Sequence, residues 1–253
     1  MKFTTEWLRD WMPVHAGPDE LSATLTMAGL EVDDVAPVAP RQGALVALVE
    51  TVDAHPDSER LKVCRVSFGG SAAAEVVCGA PNVSAGRRYP YVMPGTQLPD
   101  GKAIVETSIR GVRSSGMLCS AAELGISDEA AGLLELPADA PIGTQVYEYL
   151  RLDDLVFEVG LTPNRGDCLS ILGIARELSV LLKIDLRGAP SAPVLAVHEE
   201  ARAVRLSAPE HCSRYAGRVV TDIALTTPTP LWMSERLRRC GVRPINIVVD
   251  VTN

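Results

Sequence analysis

Between Leu45 and Ser108 five short runs rich in β-branched residues follow one another: Leu45 to Val52, Leu61 to Phe68, Glu75 to Cys78, Tyr89 to Met93 and Lys102 to Ser108. Turn chemistry separates them at His55-Pro56-Asp57, Gly69-Gly70, Ala80-Pro81-Asn82 and Pro99-Asp100-Gly101. In these turns proline presets φ, Asp and Asn bond their own backbone, and glycine accepts the left-handed region. Five strands at this spacing fit a small closed Greek-key barrel. Leu133 to Pro137 and Gly143 to Tyr149 complete the region.

The sequence on either side has a helical texture. Trp7, Leu8 and Trp11 suggest one apolar face, and Pro13 ends that helix. A second helix starts near Pro18 and Asp19, carries Leu21, Leu25 and Ala28 on one side, and closes at Gly29. Leu30 to Val35 then alternates like a short strand. Beyond residue 150, Asp167 is placed to cap a helix whose apolar line is Ile171, Ala175, Leu178 and Leu182, with Lys183 at its carboxyl end. Each piece alone offers too little apolar surface to be stable. Residues 1–39 and 152–188 are therefore expected to form one small discontinuous α+β domain, into which the barrel of residues 40–151 is inserted.

Pro190, Ala192 and Pro193 mark a linker over residues 189–200. Strands are expected near Ala203 to Leu206 and Tyr215 to Ile223, then a helix with Thr229 as N-cap, Pro230 at its first position and Gly241 as C-cap. The apolar stretch from Ile245 to Val251 reads as a further strand. Residues 201–253 are too few to bury such surface unaided, so they are expected to be the truncated start of a further α/β domain.

Composition narrows the class. A chain of 253 residues with 47% hydrophobic and 22% charged content has the make-up of a soluble globular protein of about two domains. A formal charge of -8 argues against a general polyanion binder, so any nucleic-acid contact must be local. Six cysteines lie far apart, without C-x-x-C spacing or histidines at metal-ligand distance, and read as reduced, buried thiols; no metal site is expected. Glu6, Arg9 and Asp10 interrupt the first apolar stretch, so it is no signal peptide, and a cytoplasmic location without membrane contact is expected.

Two segments carry the candidate chemistry. The first, His55-Pro56-Asp57-Ser58-Glu59-Arg60-Leu61-Lys62-Val63, is a tight bend leading into a strand that also carries Arg65. A basic strand on an open sheet face suits phosphate contacts. The second is Ile109-Arg110-Gly111-Val112-Arg113-Ser114-Ser115-Gly116-Met117-Leu118-Cys119-Ser120, whose glycines allow close backbone approach while Ser114 and Ser115 offer hydroxyls and amides to a phosphate. A solvated hairpin with scattered charges and a glycine loop is the plainer reading of the two.

Taken together, in order and spacing, and with the Cys78-Gly79-Ala80-Pro81-Asn82 turn and the Leu136-Pro137 and Ile142-Gly143 pairs, these segments resemble the tRNA-binding OB-fold module appended to several aminoacyl-tRNA synthetases. The resemblance implies tRNA-facing roles for His55, Arg60, Lys62, Arg65, Asn82, Arg110, Arg113, Ser114 and Ser115. Residues 41–150 nevertheless hold 9 Lys or Arg against 13 Asp or Glu, a balance of -4. Aromatic platforms are confined to Phe68, Tyr89, Tyr91, Tyr147 and Tyr149, so weak affinity for RNA is expected.

Further segments extend the resemblance along the chain. Met27-Ala28-Gly29-Leu30-Glu31-Val32, Leu161-Thr162-Pro163-Asn164-Arg165-Gly166-Asp167-Cys168-Leu169, Pro230-Leu231-Trp232-Met233 and Asp250-Val251-Thr252-Asn253 are similar to the β-subunit family of bacterial phenylalanine–tRNA ligases. That family implies an α2β2 heterotetramer that uses ATP and magnesium to attach phenylalanine to tRNA(Phe), with the catalytic site in the α subunit. No catalytic residue, and no bound ATP or magnesium, is then expected in this chain. The family also carries an editing centre in its β subunit. Thr252 and Asn253 match its Thr-Asn pair, whereas the histidine and glutamate expected after them have no counterpart here, so editing by this chain alone is not expected.

Other groups have plainer roles. His15, His55, His198 and His211 read as surface residues; the Arg236, Arg238, Arg239 and Arg243 cluster reads as charge at a helix carboxyl end, with phosphate contact the alternative; and Arg165 reads as a turn residue paired with an acid such as Glu31 or Asp33, with a partner-subunit contact the alternative. The alternative class is a free-standing OB-fold tRNA-binding or chaperone-like protein without enzymatic activity. The segments outside the barrel weigh against it. A hydrolase built on Cys119 or His55 lacks a base and an orienting group.

Overall fold

The computed structural model describes residues 1–70, 73–188 and 194–253. Its first layer is a three-stranded antiparallel sheet in the order β1 (Lys2–Thr4), β10 (Leu155–Gly160), β2 (Glu31–Pro37). The strand from late in the chain is thus the central one. Helices α1 (Thr5–Trp11), α2 (Pro18–Met27) and α4 (Ile171–Leu182) supply Leu8, Leu21, Leu25 and Ile174 to the same core as Phe3 and Phe157. Each such side chain removed from water stabilises the fold by roughly 1.5–3 kcal/mol.

A polar joint reinforces this packing. Asp154 is buried just ahead of β10, accepts the Thr5 hydroxyl, and takes the Glu6 amide at 3.2 Å. A carboxylate from the far end of the chain therefore satisfies an otherwise unpaired amide in the first turn of α1. The amino terminus donates to the Val159 carbonyl at 2.7 Å.

The helix after β10 differs from expectation at its start. Ser170, not Asp167, is the N-cap, its hydroxyl accepting from the Gly173 amide at 3.0 Å, while Asp167 sits in a 3-10 turn over Gly166–Cys168. Arg165 pairs with Asp167 and Glu177 and not with Glu31 or Asp33. The tight turn points the guanidinium back along its own segment.

Residues 45–118 form a five-stranded antiparallel sheet in the order β5 (Ala73–Cys78), β4 (Ser58–Ser67), β3 (Leu45–His55), β6 (Arg88–Val92), β9 (Met117–Leu118). The expected closed barrel is corrected here: the sheet is open, with no ladder joining its edges β5 and β9. Two single bonds bridge the gap instead, Ser115 amide to Glu75 carbonyl at 2.8 Å and Val77 amide to Ser114 Oγ at 3.0 Å.

The expected strand Lys102 to Ser108 is also absent as a sheet member. The Pro99-Asp100-Gly101 turn folds it back on the residues before it, with Leu98 donating to Lys102 at 2.9 Å and Ile104 donating to Thr96 at 2.8 Å. Its end forms β7 (Thr107–Ile109), which pairs with β8 (Val112–Ser114) as a separate hairpin. The fifth place in the sheet goes to β9.

Alternation along β3 and β6 gives the sheet two apolar faces. Val46 and Val92 point into one cluster, with Leu98, Leu124 and Leu136 of the covering segment. Ala47, Val49, Tyr89 and Tyr91 point into another, with Cys64 and Val66. Short helix α3 (Val146–Tyr149) returns the chain toward β10.

The strands expected at Ala203 to Leu206 and Tyr215 to Ile223 do not form; residues 201–223 carry no regular element. Pro190, Ala192 and Pro193 lie outside the described residues. Helix α5 (Leu231–Arg239) begins after Pro230, which is itself the N-cap, and Thr229 instead donates its hydroxyl to Asp250 at 2.5 Å. The stretch expected to be a strand is helix α6 (Ile247–Thr252). Asn246 caps it through Val248 and Val249 amides, both at 3.1 Å, and the buried Asp250 carboxylate takes the Ile245 amide at 2.8 Å. These local bonds outweigh the β-propensity of a valine-rich run that, among the described residues, has no neighbouring strand to join. Among the described residues no helix is long and apolar enough to cross a membrane.

Candidate nucleic-acid interface

The two segments singled out in the sequence meet at their tips. His55 ends β3, and its Nε2 lies 3.0 Å from the carbonyl of Ile109, the last residue of β7. Its Nδ1 accepts the Asp57 amide at 3.1 Å. With Nδ1 accepting and Nε2 facing a carbonyl, the contacts match the pattern of an Nε2–H tautomer. His55 is 4% exposed, not the surface residue expected.

Arg110 and Gly111 link β7 to β8 with φ of 48° and 84°. Both lie in the left-handed region required of a type I′ hairpin turn, where Asn or Gly is the usual first residue. An arginine there costs about 1–2 kcal/mol of backbone energy. Its guanidinium turns back and donates to the Asp57 carbonyl at 3.0 Å.

Pairing between β3 and β4 slips just after the turn: His55 faces Ser58, but Ala54 faces Lys62. Glu59, Arg60 and Leu61 are left without partners on β3. Arg60 is exposed in this bulge, and its guanidinium has no hydrogen-bond or ion partner among the described residues. Lys62 is half-buried and donates to the Val83 carbonyl at 3.3 Å. The cations of β4 do not all share one face. Arg65 alternates away from the Lys62 and Cys64 side and pairs with Glu50 at 2.9 Å.

The remaining candidates are committed to the protein itself. Arg113 pairs with Glu106, and this contact holds the Glu106 carboxyl below the usual carboxylate range. Ser114 is buried and its hydroxyl is taken by Val77. Ser115 donates its amide to Glu75 and its hydroxyl to Glu106 at 3.4 Å. Asn82 both donates to the Leu133 carbonyl and accepts its amide, each at 2.9 Å, so its side chain acts as a short strand for the covering loop. Tyr89 and Tyr91 are buried, their hydroxyls bound to the Asn82 and Ser115 carbonyls at 2.7 and 2.6 Å. Neither ring is offered as a stacking platform. Among the described residues, what remains solvent-facing without an internal partner is a narrow ledge that carries the Arg60 guanidinium, with the exposed Asp57 and Glu59 beside it in sequence.

Sequence reading did not find the contact between α5 and α1. The Arg236 guanidinium lies 5.4 Å from the Trp7 ring centroid and 5.6 Å from that of Trp232, and pairs with Asp10. A groove of about 790 Å³ runs beside it, lined by Tyr149, Arg151, Glu235 and Arg239 among others. Arg238 and Arg239 both pair with the single carboxylate of Glu235, so the helix end keeps an excess of positive charge within α5. Thr252 and Asn253 stand exposed at the end of α6, the Thr252 hydroxyl bound to the Val249 carbonyl at 2.7 Å.

Asp167, Cys168 and Glu177 place three potential metal-ligand atoms within 4.8 Å of one another. Arg165 occupies their centre, donating to both carboxylates and to the Cys168 sulfur at 3.1 Å. This contact lowers the Asp167 pKa. Magnesium requires an octahedral set of oxygens, and a thiol beside a guanidinium does not fit it.

Comparison with known proteins agrees with the position of the sheet. A family model described as a putative tRNA-binding domain matches residues 45–145, and a B3/4 domain model matches residues 211–253. The ends of the first match, Leu45 and Gln145, form a β-bridge with each other. The chain is 51% identical to the phenylalanine–tRNA ligase beta subunit of Pseudomonas putida over 254 residues, covering 100% of this chain and 32% of that protein. The corresponding proteins of Pseudomonas fluorescens and Dechloromonas aromatica are 51% and 50% identical, again over 100% of this chain and 32% of theirs. The chain thus spans about a third of the length of the curated relatives it matches.

Proposed function

Because this chain is homologous over its whole length to phenylalanine–tRNA ligase beta subunits, we propose that it provides tRNA binding and scaffolding within such a ligase. The carrying observation is identity near 51% along the entire chain, together with a tRNA-binding model over residues 45–145. A free-standing binding protein is not favoured, since the likeness includes every segment outside the sheet.

In this reading the ligase joins phenylalanine to its tRNA at the expense of ATP, in the cytoplasm, as an α2β2 assembly. The α partner would hold the catalytic site, ATP and magnesium. Among the described residues, the cluster of Asp167, Cys168 and Glu177 is closed by Arg165. Residues 1–39 and 152–188 would act as one discontinuous domain, 40–151 as an OB-type module whose edges meet through single bonds, 189–200 as a linker and 201–253 as part of an editing-type domain containing Thr252 and Asn253. The shared core of Phe3 and Phe157 and the Leu45–Gln145 bridge support this division.

Within the module, Arg60 and Lys62 are the proposed phosphate contacts, with the Arg110 tip beside them. The other candidates, His55, Arg65, Asn82, Arg113, Ser114 and Ser115, shape that surface through the bonds described above. Filter binding of tRNA across a salt series tests the assignment. Joint replacement Arg60→Ala and Lys62→Ala should weaken binding and flatten the salt dependence by roughly one unit of slope per lost contact. Unchanged affinity would remove both residues from the interface. Co-expression of the full-length β subunit with an α partner, followed by a phenylalanylation assay, tests the wider reading.

A further inference from the structure

The hydrogen bonds of His55 and Arg110 run to the backbone of each other's turn. From this reciprocity we infer that His55 and Arg110 are positioning residues, which pin the β7–β8 hairpin to the β3–β4 turn and so fix the ledge that Arg60 presents to tRNA. The inference rests on the tRNA-binding reading, and deepens it by assigning His55 a role that involves no contact with RNA.

Both ring nitrogens of His55 are occupied, by Ile109 and by Asp57, and the ring is buried. It has no atom left for a phosphate. Arg110 occupies a strained turn position that Asn or Gly would fill with less cost, and its side chain returns to Asp57. One bond alone would leave the hairpin free to pivot; two bonds crossing between the tips prevent that. The far end of the hairpin is held by Ser114 and Ser115 against β5. The Glu59–Leu61 bulge begins directly after the pinned turn, so the direction of Arg60 depends on the turn being held.

Amide isosteres separate the two bonds. In His55→Gln the side-chain amide reaches the Nε2 position and can still donate to Ile109, whereas in His55→Asn it matches Nδ1, keeps Asp57 and cannot reach Ile109. Neither carries charge. Hydrogen exchange of the 107–114 amides and tRNA filter binding across a salt series would be measured on the wild-type chain, both variants and Arg110→Gly. Glycine relieves the turn while deleting the guanidinium bond, which keeps a well-folded comparison available.

The expected result is near wild-type protection and affinity for His55→Gln. His55→Asn should lose hairpin protection and bind tRNA roughly three- to tenfold more weakly, the effect of one hydrogen bond, with an unchanged salt slope because Arg60 keeps its charge and its phosphate contact and only the cost of orienting it rises. Arg110→Gly should lose protection over the same amides. Equal behaviour of the Gln and Asn variants, or a salt slope that falls with every His55 replacement, would overturn the inference. Should the wild-type chain bind no tRNA, the functional reading fails by itself. Exchange then decides the clamp alone: protection lost in Asn but kept in Gln sustains it, and equal protection overturns it.

Discussion

Phe3 stands directly opposite Phe157 in the β1–β10 ladder, with ring centroids 5.2 Å apart and planes inclined by 13°. The pair joins the start of the chain to a strand that follows the entire five-stranded sheet. Both rings are fully buried. Their contact, with Asp154 on the Thr5 hydroxyl and the Glu6 amide of α1, makes folding of the three-stranded layer depend on distant parts of the chain arriving together.

Phe157→Ala should therefore destabilise the protein by about 3–5 kcal/mol, the range for an aromatic truncated in a core that cannot collapse around the void. Against a total of about 5–15 kcal/mol, that is a large part of the fold's margin. Chemical denaturation followed by tryptophan fluorescence would report it, since Trp7 and Trp11 border the same core. A loss under about 1 kcal/mol would mean that the core around Phe3 and Phe157 collapses onto the void far more readily than its packing indicates.

Thiol reactivity should be confined to one residue. Burial pushes the Cys64 thiol up to about 12 and that of Cys240 to about 11, and raises Cys78, Cys119 and Cys168 as well. At pH 8 a thiol near 12 is only about one part in ten thousand thiolate, and the thiolate is the attacking species. Cys212 is exposed. Alkylation of the native chain followed by mass spectrometry should give rapid modification at Cys212, abolished in Cys212→Ser. The other five should react only after denaturation.

What the sequence discloses depends on how far apart the deciding residues lie. Leu21 and Leu25 place α2 correctly because a helix is read within its own turns. The runs from Leu45 to Val92 likewise read as strands. Whether a run finds a partner is a different matter. Lys102 to Ser108 has strand composition, yet a turn of its own folds it back before it can join the sheet. The valines of α6 look extended until Asn246 and Asp250 are seen to hold both ends of the turn. His55 looked like an exposed histidine because Ile109, its partner, lies 54 residues away. The candidate interface was legible as two segments, and the bonds between them were not.

The α5–α6 unit should respond to acid through Asp250. The Thr229 hydroxyl, with help from the Ile245 and Asn246 amides, holds this carboxyl below its ordinary range. A carboxyl depressed in the folded state contributes stability above its unfolded pKa, near 3.9, and loses it as pH falls through the folded value. Hydrogen exchange of the α6 amides should be insensitive to this group between about pH 5 and 8, with protection falling below about pH 4. Asp250→Asn should lower protection at neutral pH and remove the acid-dependent step. A step centred near neutral pH would rule out Asp250 as its source.

Two glycines of the second segment should differ sharply in tolerance. Gly111 and Gly116 have φ of 84° and 110°, so any side chain is conformationally strained at either position. Around Gly111 nothing lies within 4 Å of an added Cβ, and Gly111→Ala should cost about 1–2 kcal/mol from backbone strain alone. At Gly116 the same atom would sit 2.5 Å from Tyr91 Cε2 and 2.6 Å from the Val92 carbonyl. Tyr91 cannot swing aside: its ring is buried against Phe68 and its hydroxyl donates to Ser115. Gly116→Ala should then add an overpacking cost of about 1–3 kcal/mol to the strain and separate β9 from β6, detaching the short edge strand. Urea unfolding of the two variants side by side measures the difference, and hydrogen exchange at Leu118 locates it. Equal midpoints would show that the backbone at Gly116 shifts freely, against the close packing of β6 beneath it.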